Sequence, residues 1–238
     1  MTNSSQLLVL WDVDGTLIHN GGVSKQAYAQ GFELLTGKPP TEPVITDGMT
    51  DPAIMRSLFE RHEIKLTAEL ESRVPAVMND ALASLVPQLR ERGHAMPGAR
   101  EAIDALAELP GVIQSVLTGN IAPNAFTKVA TFDLQSKLDF KVGGFGSDDE
   151  IRWKLVGAAR DKALAKYGIT FDASNTVIIG DTLRDVEAGR KGGAHVIAIA
   201  SGAFSEQQLS AEGADVVLPD LRNTDGLVRS LLSFRART

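Results

Sequence analysis

The chain has 238 residues, 43% hydrophobic and 23% charged, with a formal net charge of −6 and no cysteine. This length suits one α/β core carrying a smaller insert. The acidity offers no basic footprint for nucleic acid, and the missing cysteines exclude disulfides, thiolate metal sites and cysteine nucleophiles. Met1 to Gln6 is polar and lacks a basic n-region, and no apolar run reaches bilayer length, so a cytoplasmic protein with no membrane partner is expected.

Leu7 to Trp11 is a short apolar run ending in acid and glycine, which reads as a buried central strand. After it the strand rhythm stops. Helical patterns run over Ser24 to Thr36, Thr50 to His62 and Thr67 to Gly93, with Ser24 and Thr67 as candidate N-caps. Gly37, Pro39 and Pro40 separate the first two. Pro97-Gly98 opens a further helix, Ala99 to Leu109. Apolar runs then return at Val112 to Leu117, Thr176 to Ile179, His195 to Ala200 and Asp215 to Leu218, with a weaker candidate at Phe140 to Val142. Strands separated by helices imply βαβ units and a parallel sheet. The expected organisation is an α/β core over residues 1–19 and 95–238 with a helical insert over 20–94. Hinges are expected near 16–22, where Gly21-Gly22 lies, and near 93–98.

Chemistry concentrates at the expected carboxyl ends of strands, where ligands of open α/β sheets bind. Asp12 and Asp14 follow the first strand, two apart and on one face if the chain stays extended. Gly15 permits a turn there, and Thr16 adds a hydroxyl. Carboxylates this close repel unless a cation lies between them, and magnesium, which takes oxygen ligands, would satisfy them. The plainer reading is a capped acidic turn. Thr118-Gly119-Asn120 ends the second core strand with a hydroxyl, an amide and exposed backbone, which suits phosphate oxygens but equally an ordinary helix start. Gly180-Asp181 ends the third. Asp185 follows four residues later, one helical turn on if a helix begins near Thr182. A helix-dipole role explains either acid, but not a matching pair after the first strand. A cation is needed to hold a phosphoryl group beside a carboxylate. Arg152 and Lys154 are the candidates, and roughly 200° of helix turn between them allows only one to face the site.

With these stations in order, the chain resembles the haloacid dehalogenase superfamily of hydrolases over almost its whole length. Asp12-Val13-Asp14-Gly15-Thr16, Thr118, and Gly180-Asp181 with Asp185 match three of its motifs. Gly48-Met49-Thr50-Asp51 resembles a segment of the helical cap in its phosphoglycolate phosphatase and β-phosphoglucomutase group. The third motif departs from the usual lysine followed by proline: Arg152-Trp153-Lys154 has no proline, and the downstream pattern suggests Arg152 takes the role.

The resemblance implies a Rossmann-like parallel sheet with helices on both faces, an inserted cap, and magnesium-dependent hydrolysis of a small phosphorylated metabolite. It makes Asp12 the nucleophile and Asp14 the acid and base. Metal ligands are Asp12, Asp14 through its main-chain carbonyl, and Asp181, with Asp185 orienting that shell. Thr118, Gly119 and Asn120 bind phosphate, and Arg152 or Lys154 neutralises its charge. Thr16, Thr50 and Asp51 are expected near substrate, although an N-cap is the plainer role for Thr50 and Asp51. Two alternatives are a mutase of the β-phosphoglucomutase kind and a non-catalytic binding module on the same fold.

Overall fold

The computed structural model describes residues 6–46 and 48–235; the polar residues 1–5 lie outside it. The first strand, β1 (Leu7–Trp11), is buried throughout. Leu7, Val9 and Trp11 face one apolar cluster, while Leu8 and Leu10 face another. A central strand covered on both faces therefore reads as a continuous apolar run. The indole N–H of Trp11 donates to Gln114 Oε1 at 3.0 Å, so the polar edge of this buried ring is paired.

A two-residue strand, β2 (Ile18–His19), leads into four helices: α1 (Val23–Thr36), α2 (Asp51–Arg61), α3 (Ala68–Ser84) and α4 (Val86–Arg92). They enclose an apolar cluster that includes Phe32, Met55, Phe59 and Met78 and is joined by Ile121, from later in the chain. Strand β3 (His94–Ala95) then pairs antiparallel with β2, so the chain enters and leaves this four-helix stretch side by side. The remaining elements are α5 (Ala99–Ala107), β4 (Val112–Thr118), α6 (Ala122–Thr131), β5 (Gly144–Phe145), α7 (Lys154–Tyr167), β6 (Thr176–Gly180), α8 (Leu183–Gly192), β7 (His195–Ile199), α9 (Glu206–Glu212), β8 (Val216–Leu218) and α10 (Thr224–Arg235).

The six-stranded sheet has the order β5-β4-β1-β6-β7-β8, and every neighbouring pair is parallel. Strand order reverses about β1, so the connections leaving β1, β4 and β6 diverge there and open a crevice at their carboxyl ends.

Four local expectations need correction. Phe140 to Val142 is a short 3₁₀ turn, and the edge strand is Gly144–Phe145. The pattern from Thr67 to Gly93 divides at Leu85, because Pro87 lacks the N–H that a continuous helix needs. Thr67 does cap α3, accepting from the Leu70 N–H at 3.3 Å. Ser24 is not a cap: α1 begins at Val23 after Gly22, whose φ is 81°. Arg152 lies in the turn before α7, which starts at Lys154.

Candidate active site

Three strand ends supply the centre. Asp12 follows β1, Thr118 closes β4, and Asp181 follows β6. Side-chain oxygens of Asp12, Asp181 and Asp185 lie within 4.8 Å of one another, and all three residues are buried. Three carboxylates so close cannot all stay ionised without positive charge. Arg152 supplies part of it. Its Nη2 lies 2.6 Å from Asp12 Oδ1 and 2.5 Å from Asp185 Oδ1. Burial would lower the Arg152 guanidinium, but Asp185 and Asp12 reverse that and hold it above its ordinary value.

One cation does not balance three acids. Burial, then Asp185, push Asp12 well above the usual carboxylate range despite Arg152. The same two causes push Asp181 up to about 7. A divalent cation would relieve both, and the all-oxygen donor set is of the hard type that suits one. Asp185 is differently placed. Its Oδ2 accepts from the Thr182 N–H at 3.0 Å and the Thr182 hydroxyl at 2.6 Å, in the capping box of α8, while Oδ1 takes Arg152. With both oxygens engaged, Asp185 fits the orienting role better than direct ligation.

Asp14 turns away from that cluster. Its Oδ1 accepts from Asn20 Nδ2 at 2.7 Å and the Ser24 hydroxyl at 3.4 Å. Its Oδ2 accepts from Asn120 Nδ2 at 2.8 Å and Lys128 Nζ at 2.7 Å. Burial raises the Asp14 carboxyl, but Lys128, Asn120 and Asn20 together outweigh it and the net shift is downward. Only the main-chain carbonyl of Asp14 is left for a metal; its carboxylate is committed elsewhere. Gly15, at φ 96°, lets the chain turn between these acids. A Cβ there would lie 2.4 Å from Asp181 Oδ2.

A cavity of about 260 Å³ opens over the strand ends. Asp12, Asp14, Thr118, Gly119, Asn120, Arg152 and Asp181 line its core side, and Tyr28, Met49 and Ile54 are among those contributed by the insert. The remaining expected residues fall outside it. The Thr16 hydroxyl donates to Asp181 Oδ1 at 3.0 Å and so supports that acid. Thr50 occupies the N-cap position of α2, yet its hydroxyl donates to the Glu150 carbonyl at 3.1 Å. Asp51 is buried between insert and core, accepting from the Tyr28 hydroxyl at 2.6 Å and the Ile121 N–H at 2.9 Å. Lys154 is half-exposed and pairs with Asp149 at 3.2 Å, because the turn that carries Arg152 inward sends Lys154 outward.

Lys128 was not anticipated. It sits on α6 beside Asn124, and both are buried among Ala125 and Val129. The sequence does carry a signal: a lysine on the apolar stripe of a helix is rarely buried unless paired. Its partner, Asp14, is 114 residues away in the chain.

A family model described as a haloacid dehalogenase-like hydrolase matches residues 7–193. No curated protein matches the chain. Among solved structures, a hydrolase from Pseudomonas syringae is similar at 20% identity and TM-score 0.68, covering 95% of this chain and 99% of that one. β-Phosphoglucomutase from Clostridium difficile is similar at 11% identity and TM-score 0.72, covering 98% and 100%. CbbY from Rhodobacter sphaeroides, solved with phosphate, is similar at 16% identity and TM-score 0.68, covering 92% and 96%. At such identities the structural likeness carries the fold alone, but the family match spans most of the chain and includes Asp12, Asp14, Thr118, Arg152 and Asp181: this protein belongs to the haloacid dehalogenase-like hydrolases.

Proposed function

We propose that the protein is a magnesium-dependent phosphatase acting on a small phosphorylated metabolite through an aspartyl-phosphate at Asp12. The observation that carries this reading is the meeting of Asp12, Asp181 and Arg152 at the floor of a cavity that Thr118 also lines, with Asp185 buried behind them. An Asp12 carboxylate oxygen attacks phosphorus as the ester P–O bond breaks, and Asp14 gives its proton to the departing alkoxide. Water then attacks phosphorus, the Asp12–phosphorus bond breaks, and Asp14 takes the water's proton. Against its burial, the donors around Asp14, Lys128 foremost, favour its carboxylate form, which is the form that second step needs. Arg152 holds Asp12 through the sequence and offsets the phosphoryl charge. Asp12, Asp181 and the main-chain carbonyl of Asp14 would hold the metal, and bound magnesium would stabilise negative charge on the transferring group. Thr118 and the main chain at Gly119 receive the phosphate oxygens, while the Asn120 side chain is engaged with Asp14 and Thr118 behind them.

Residues 20–94 are the cap in this reading, covering the strand ends and contacting the leaving group through Tyr28, Met49 and Ile54. The cavity is smaller than the roughly 300–1,000 Å³ of drug-sized sites, which favours a compact substrate. A panel of phosphorylated metabolites assayed for orthophosphate release, with and without magnesium, tests the proposal. Release that requires magnesium is expected. Return of the phosphoryl group to a sugar without net release would make the protein a mutase, and no turnover of any ester would remove the enzymatic reading.

A further inference from the structure

Lys128 donates to two acceptors, Asp14 Oδ2 at 2.7 Å and Asn120 Oδ1 at 2.6 Å. An ammonium can only donate and a carboxylate can only accept. The Asn120 amide, placed between them, therefore has one self-consistent orientation. Its oxygen must face Lys128, which leaves its two N–H groups for Asp14 Oδ2 at 2.8 Å and Thr118 Oγ1 at 2.7 Å. Thr118 Oγ1 also accepts from the Asn120 main-chain N–H at 3.3 Å. Both lone pairs of that hydroxyl are then used, and among the described residues nothing accepts its proton. Only the cavity remains for that proton to point into.

We propose that Lys128 is a positioning residue that, by fixing the Asn120 amide, makes the Thr118 hydroxyl a committed donor to the phosphate oxygens and holds the Asp14 carboxylate in place for the leaving group. The proposal rests on the phosphatase reading above. A reversed amide would present its oxygen to Asp14 and Thr118 together, repelling the first and drawing the proton of the second away from the cavity. Lys128 and the Asp14 carboxylate together forbid that reversal, and Lys128 supplies the donor that holds the amide oxygen. It is itself 2% exposed and is not among the residues lining the cavity, so it acts through its neighbours.

The test is Lys128→Met in the full chain, with two readouts. One is kcat/KM for an alkyl phosphate, whose alkoxide needs a proton, against 2,4-dinitrophenyl phosphate, whose leaving group needs none. The other is orthophosphate binding by calorimetry. The expected result is a loss of about 100-fold on the alkyl ester, a much smaller loss on the dinitrophenyl ester, and about tenfold weaker orthophosphate binding. Partial recovery is expected in Lys128→Arg, which keeps a donor-only cation. Equal losses on both esters with unchanged orthophosphate binding would mean that Lys128 only supports the fold, and would overturn the proposal. If Lys128→Met does not fold, Asn120→Ala carries the same test, since it removes the relaying amide and leaves the lysine. The same split is expected there, and uniform loss would overturn the relay. Orthophosphate binding is readable even if the wild type hydrolyses neither ester, so failure of the relay and failure of the phosphatase reading are separate results.

Discussion

At the scale of single residues, the site depends on carboxylates given unequal surroundings. Asp12 shares its space with Asp181, Asp185 and one guanidinium, whereas Asp14 accepts from four donors. In the proposed mechanism the first arrangement would suit a metal-bound nucleophile and the second a proton carrier. Asp12→Asn should therefore abolish phosphate release while thermal unfolding still shows a cooperative fold; turnover near the wild-type rate would remove Asp12 as nucleophile. Gly15→Ala should cost more than an exposed glycine replacement, because it combines strain at φ 96° with a contact on Asp181. Activity in that variant is expected to fall together with stability, measured by denaturant titration. Asp12, Asp14, Thr118 and Asp181 were legible in the sequence because each stands at or just beyond the carboxyl end of a recognisable strand. Lys128 was not, because its partner Asp14 is 114 residues away and meets it only in the folded chain.

At the scale of elements, two small devices fix the site. The capping box of α8 ties Thr182 to Asp185, and Asp185 in turn holds Arg152. Thr182→Ala should destabilise the protein by about 1 kcal/mol through the lost cap. It should also weaken phosphate binding, since Arg152 loses a fixed partner; a stability loss with unchanged binding would confine Thr182 to its helix. The second device joins insert to core. The Asp51 N–H donates to the Gly119 carbonyl at 2.7 Å, and a Cβ on Gly119 would lie 2.1 Å from the Met49 carbonyl. Gly119→Ala should push the segment from Gly48 to Asp51 off the core, read as faster amide exchange there. Unchanged exchange would show that the close approach is not required. The paired strands β2 and β3 escaped the sequence reading because two residues each are too short for periodicity to register. The edge strand was misplaced for a related reason. Gly144–Phe145 has almost no apolar length, while Phe140 and Val142 alternate with a lysine and imitate a strand.

At the scale of the whole molecule, the α/β architecture followed from apolar runs spaced by helices, and the order of the six strands places every station of the site about β1. Composition alone gave no access to that placement, which depends on which strands neighbour one another. The buried acids also make stability depend on pH. Asp181 is raised from an ordinary 3.8 to about 7, so between those values the folded chain holds its proton more firmly than the unfolded chain. Stability from this group is therefore lost as pH rises through that window. Asp12 acts in the same direction. Asp14 is lowered, so its contribution is present above its ordinary value and is lost only as pH falls through its folded value. The metal-free protein should melt at a higher temperature at about pH 5.5 than at about pH 8, and added magnesium should raise the melting temperature more at the higher pH. A magnesium effect equal at both values would argue against ligation by Asp12 and Asp181.

The most direct test of the central claim is mass spectrometry of the enzyme quenched in acid during turnover of a phosphate ester that it hydrolyses. One phosphoryl group on the peptide containing Asp12, absent from Asp12→Asn, is the expected result. Steady phosphate release with no phosphoryl group on any peptide, and retained in Asp12→Asn, would contradict the account.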